Sequence, residues 1–106
     1  MLINWIYLIA AILFEVLGTT CMKLSDGFRN LIPSILIFVF YGCGFTFSTL
    51  SLEKLDVGVA YSIWSGLGTM LIASIGIIWF RESMSLTKFI SIALIVIGVI
   101  GINASK

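Results

Sequence analysis

Residues 4–23 read NWIYLIAAILFEVLGTTCMK, an apolar run with a single carboxylate, Glu15, near its middle. At 1.5 Å per residue, a helix of about 20 such residues crosses the ~30 Å of hydrocarbon in a bilayer. A carboxylate at the centre of that span costs roughly 2.5–3.5 kcal/mol on insertion scales, so it is a candidate functional group by default.

The pattern repeats outward from this stretch. Apolar segments follow at about 31–52, 57–80 and 86–104, separated by short polar breaks. Asp26-Gly27 is a turn signal in the first break, and Pro33 sits in the first turn of the second segment, where its ring is tolerated. The expectation is an all-α membrane protein. Its transmembrane helices lie at approximately 4–22, 31–52, 57–80 and 86–104, forming a single four-helix transmembrane domain over residues 1–106. Composition agrees. A 106-residue soluble domain exposes too much surface to need 60% hydrophobic and only 10% charged residues. The first segment lacks a positive leader and carries Glu15 inside its apolar run, so it reads as a retained span rather than a cleaved signal.

Several function classes drop out. The net charge of +1 and the lack of a basic cluster speak against nucleic acid and against an anionic-lipid patch. The chain has no histidine, the commonest metal ligand, and Cys21 and Cys43 read as small packing residues. No cofactor, metal or enzymatic constellation is expected. Lys23, Arg29, Arg81 and Lys88 flank the first and third breaks, against Lys54 and Lys106 on the other side. The positive-inside rule therefore orients the chain only weakly, which permits insertion in both directions.

Helical spacing places Leu8, Ala11, Ile12, Gly18, Thr19 and Met22 on the face of Glu15. In the third segment, Tyr61, Trp64, Ser65 and Gly68 share a face, with Trp64 too deep for an interfacial belt. Tyr41, mid-way along the second segment, is a candidate for the same pocket. An anion ringed by aromatic faces suits a lipophilic cation, each ring adding roughly 0.5–2 kcal/mol of cation–π attraction. Protons and cation then compete for one carboxylate, which is a minimal antiporter. A lone intramembrane glutamate can also serve only as a helix–helix hydrogen-bond partner. Gly66 and Gly68 are either a hinge or a close-packing site. On the fourth segment Ser91, Leu94, Ile95 and Gly98 form a stripe suited to helix contact, including contact with a second copy.

The runs ILFEVLGTTCMKLSDGF (12–28), IPS (32–34), GVAYSIWSGLG (58–68) and the stripe from Ser91 to Val99 resemble the small multidrug resistance family, near its quaternary-ammonium exporters. The resemblance covers essentially the whole chain. It implies a proton-coupled antiporter of hydrophobic or quaternary ammonium cations in the bacterial inner (plasma) membrane, working as an antiparallel dual-topology homodimer. By position it implies that Glu15 binds both proton and substrate. Tyr61, Trp64, Tyr41, Ile12, Gly18, Thr19 and Ser65 would bind substrate, and Gly66 and Gly68 would form a hinge. Ser91, Leu94, Ile95 and Gly98 would make the dimer contact, with Ser91 standing where the family has glycine. Guanidinium exporters of the family carry tryptophan at the position of Gly18, which argues against that subtype. Transport of choline- or betaine-type osmolytes, and service as one subunit of a heterodimeric pair, are the alternatives.

Overall fold

In lipid every backbone N–H and C=O must be satisfied within the protein, so apolar segments this long fold as helices. The computed structural model describes residues 2–105. It contains α1 (Leu2–Leu24), α2 (Leu31–Ser51), α3 (Val57–Ile78) and α4 (Leu86–Ala104). All four are long and apolar enough to cross a membrane.

Helix ends follow local chemistry rather than the hydropathy limits. α1 runs two residues beyond the expected 4–22 at each end, taking in Leu2, Ile3, Lys23 and Leu24. It stops where Asp26, Gly27 and Phe28 all turn left-handed, with φ of 50°, 66° and 68°. Such a φ costs a non-glycine residue of order 1–3 kcal/mol. The turn is held by Asn30 Nδ2, which donates to the Leu24 carbonyl at 2.8 Å, and by Ser25 Oγ, which accepts from the Phe28 N–H. α2 ends at Ser51, one residue short of the expected 52. α3 ends at Ile78 rather than 80. The Trp79 and Phe80 N–H groups both turn to the Ile75 carbonyl, and Arg81 then goes left-handed. α4 starts where expected, with the Ser85 side chain accepting from the Lys88 N–H at 3.1 Å.

The helices contact one another in the order α2, α1, α3, α4. They form a flat layer whose Cα extents are 43 × 35 × 16 Å. The thinnest extent is less than half the next, and α2 and α4 share no extensive contact, so the layer does not close on itself. The core lies under α1, where Leu8, Ile12 and Val16 pack with Leu55 and Ala60. Glycines set the helix spacing. A Cβ at Gly44 would stand 3.4 Å from the Ala11 carbonyl, and one at Gly66 would collide with Val99 Cγ2. No residue of α4 is buried.

Among the described residues, every buried side-chain polar atom is hydrogen-bonded. Asn4 ties the start of α1 to the Leu50 carbonyl of α2 at 3.1 Å.

Because Gly66 admits Val99, Gly66→Ala should loosen α4 from α3 at a cost of about 1–3 kcal/mol. Val99→Ala in the same chain should restore the loss. Thermal unfolding in detergent reads both, and a Gly66→Ala protein as stable as the parent would show that α4 does not pack there.

Candidate functional site

Glu15 is half-buried midway along α1. Its two carboxylate oxygens have different surroundings. Oε1 accepts a hydrogen bond from Thr19 Oγ1 at 3.1 Å, one helical turn later. Thr19 Oγ1 lies in turn 2.5 Å from the Tyr41 hydroxyl of α2. Oε2 points at α3, where a Cβ added at Gly68 would stand 3.0 Å away. No hydrogen bond reaches Oε2 from the described residues.

On the α3 side, Glu15 forms a cleft of about 200 Å³ with Trp64, Ser65, Gly68, Thr69 and Ile72. The Ser65 hydroxyl donates to the Tyr61 carbonyl at 2.9 Å, and Thr69 donates to the Ser65 carbonyl at 2.6 Å. Both wall hydroxyls therefore spend their proton inside α3. The one ion pair among the described residues is Arg29 with Asp26 at 3.6 Å, on the surface. Among the described residues Glu15 has no cationic partner.

The structure brings together some of the expected site residues and separates others. Glu15, Trp64 and Ser65 share the cleft, with Gly68 as its floor. Thr19 and Tyr41 meet Glu15 from the far side, between α1 and α2. Gly18 is buried against Tyr41. A Cβ there would lie 2.7 Å from ring atoms Cδ2 and Cε2. Ile12 is 3% exposed in the core and does not line the cleft. Tyr61 is 64% exposed and leans on Trp64 with ring centroids 5.4 Å apart. It borders a small recess with Ser48 and Leu52 instead. On α4, Ile95 approaches Gly66, whereas Leu94 is 63% exposed and Gly98 has nothing within 4 Å of a Cβ position. In this conformation α3 is a continuous helix through Gly66 and Gly68, and both glycines have a packing reason.

Thr69 and Ile72 were not singled out in the sequence. The signal was present, since the face carrying 61, 64, 65 and 68 continues by steps of three and four to 69 and 72.

Comparison with known proteins adds to this geometry. The family model for the Small Multidrug Resistance protein matches residues 3–95. The chain belongs to the small multidrug resistance family. It is 53% identical over 100 residues to the uncharacterized membrane protein YvaE of Bacillus subtilis (strain 168), covering 94% of this chain and 84% of that one. The quaternary ammonium compound-resistance protein QacF of Klebsiella aerogenes is 41% identical, covering 94% and 91%. The multidrug resistance protein EbrA of Bacillus licheniformis is 38% identical, covering 99% and 100%. This small multidrug resistance protein is thus a multi-pass protein of the bacterial inner membrane, in a family of transporters rather than enzymes.

If the cleft admits small molecules, a cysteine on its wall should be reachable. With Cys21 and Cys43 replaced by alanine, Ser65→Cys should react with a membrane-permeant maleimide several-fold faster than Val16→Cys in the core. Adding Gly68→Leu should slow that reaction. Equal rates at positions 65 and 16 would mean that the cleft is closed.

Proposed function

We propose that this protein is a proton-coupled antiporter that exports lipophilic quaternary ammonium cations, with proton and cation competing for Glu15. The observation that carries the reading is a carboxylate midway along α1 with no counter-charge among the described residues, opening on a cleft beside an indole ring. An ionised carboxylate away from water needs a compensating charge or a proton. Either relieves the cost, and both cannot occupy one oxygen. Binding of one therefore expels the other, which couples the two flows. Trp64 and Ile72 give the cation apolar contact, and the indole face adds cation–π attraction. The name of QacF agrees with this substrate class.

The working unit in this proposal is an antiparallel homodimer of four-helix transmembrane domains. The layer is too thin to surround a ligand, and α4 leaves Leu94 and Gly98 open to a second copy. Ser91 and Ile95 border the α3–α4 clefts beside that face. The weak charge bias between the two ends permits both orientations. Gly66 and Gly68 are the proposed hinge by which the protomers exchange conformations. Ile12 and Gly18 shape the site from behind, and Tyr61 reaches the cation from its exposed position only once the partner closes the cleft.

Proton-driven uptake of a quaternary ammonium cation into liposomes holding only this chain tests the reading directly. Glu15→Gln should insert normally and lose coupled exchange, and pH-driven exchange at the parent rate in that variant would refute the proposal. Trp64→Ala should weaken cation binding roughly 2- to 30-fold while leaving its pH dependence in place, the range expected for one lost cation–π contact. Equal affinity would place the ring outside the site. Within a substrate panel, benzalkonium should exceed choline, because the walls offered by Trp64 and Ile72 reward apolar area. Choline uptake above benzalkonium would favour an osmolyte carrier.

A further inference from the structure

We propose that the groove between α3 and α4 seats a zwitterionic phospholipid with a primary ammonium, its phosphate on Lys88 and its ammonium on Glu82. The proposal stands apart from the competition at Glu15, since it uses neither that carboxylate nor Trp64.

Glu82 and Lys88 line one groove of about 290 Å³, which continues between the two helices over Ala73, Ile77, Ile92 and Ile95. Its α3 wall rises from Ile77 to Thr69, about 12 Å along the helix axis. Both charges stand at the loop end, where two spans of this length reach the membrane surface, and the apolar lining runs inward from them. A charged head and an apolar tail fit that division.

Each charge occupies the helix end that disfavours it. Glu82 follows the C-terminus of α3, where the partial charge is already negative. Lys88 lies in the first turn of α4, where it is positive. The two share the groove without pairing, since the one ion pair among the described residues is Arg29 with Asp26. Glu82 is also held in place. Its N–H donates to the Gly76 carbonyl at 3.0 Å, and its carboxylate lies on the bare Cα of Gly76, where an added Cβ would stand 2.6 Å from Oε1. Lys88 Nζ donates one proton to the Ser83 carbonyl at 2.5 Å and keeps two more.

Charge complementarity names the occupant. A lipophilic cation would gain from Glu82 and lose to Lys88, and an anionic lipid would do the reverse. A zwitterion satisfies both. A primary ammonium donates hydrogen bonds to the carboxylate, which a trimethylammonium cannot. The phosphate takes the remaining Lys88 protons beside the positive end of α4. The acyl chain exchanges one apolar neighbour for another, so selectivity comes from the head.

Native mass spectrometry of the detergent-solubilised protein, titrated with phosphatidylethanolamine, phosphatidylcholine and phosphatidylglycerol of equal acyl chains, tests the site. The parent should hold phosphatidylethanolamine roughly 3- to 10-fold more tightly than either of the others. Glu82→Gln should remove that preference. Gly76→Ala, which pushes the carboxylate off its seat, should do the same. Lys88→Gln should weaken phosphatidylethanolamine and phosphatidylglycerol together, and Ala73→Phe, which fills the groove and leaves both charges, should weaken all three. Tetraphenylphosphonium binding by Glu82→Gln should stay within about twofold of the parent. Equal retention of the three lipids by the parent, or a preference that survives Glu82→Gln, would overturn the proposal. So would tighter binding of phosphatidylglycerol, which would make this an anionic-lipid site. Loss of tetraphenylphosphonium binding with lipid preference intact would make it a cation entrance, and release of lipid as the dimer forms would give the groove to a second copy; either result would also overturn the proposal.

Discussion

One hydrogen bond, from Thr19 to Glu15, divides the roles of the two carboxylate oxygens midway along α1. With it, one oxygen is anchored and the other is left toward α3. The surrounding residue choices follow from that division. Gly68 gives Oε2 room at the helix surface, and Gly18 gives Tyr41 room beside Thr19. Ser65 and Thr69 return their protons to their own helix and so donate nothing to Glu15. A site arranged this way keeps one carboxylate oxygen free of protein donors among the described residues, which is what the proposed competition requires.

Much of this was legible in the chain, and for a physical reason. Hydrocarbon permits few structures, so four apolar runs of about 20 residues become four helices almost regardless of detail. Helical periodicity put Glu15 and Thr19 on one face, and Trp64, Ser65 and Gly68 on another, and the cleft joins those faces. What the sequence did not carry is how one helix sits against the next. Ile12 shares the helical face of Glu15, yet the packing of Leu55 and Ala60 covers it and turns it into core. Tyr61 shares the face of Trp64, yet it lies nearer the end of α3 and remains largely exposed. Position on a helix is a local property, whereas burial depends on the neighbour's contour. That contour here is set by glycines such as Gly44 and Gly66, whose opposite numbers, Ala11 and Val99, cannot be paired from one strand of text.

The flatness of the layer has its own cause. In water, an apolar helix such as α4 would collapse onto its neighbours to escape solvent. In lipid that drive is absent, since acyl chains are as apolar as leucine, and association relies on close packing and hydrogen bonds. α4 carries Thr87, Lys88, Ser91 and Asn103, with Ser85 as its N-cap, and among the described residues none of them hydrogen-bonds across to α3. Its hold on the layer is steric, through Val99 at Gly66 and Ile95 beside it. A helix attached by one narrow seam keeps most of its perimeter available. The same physics that fails to fold α4 inward therefore leaves it as the surface on which a second layer has most to gain. A site open on one side, beside a helix with most of its perimeter free, is what the proposed homodimer would complete.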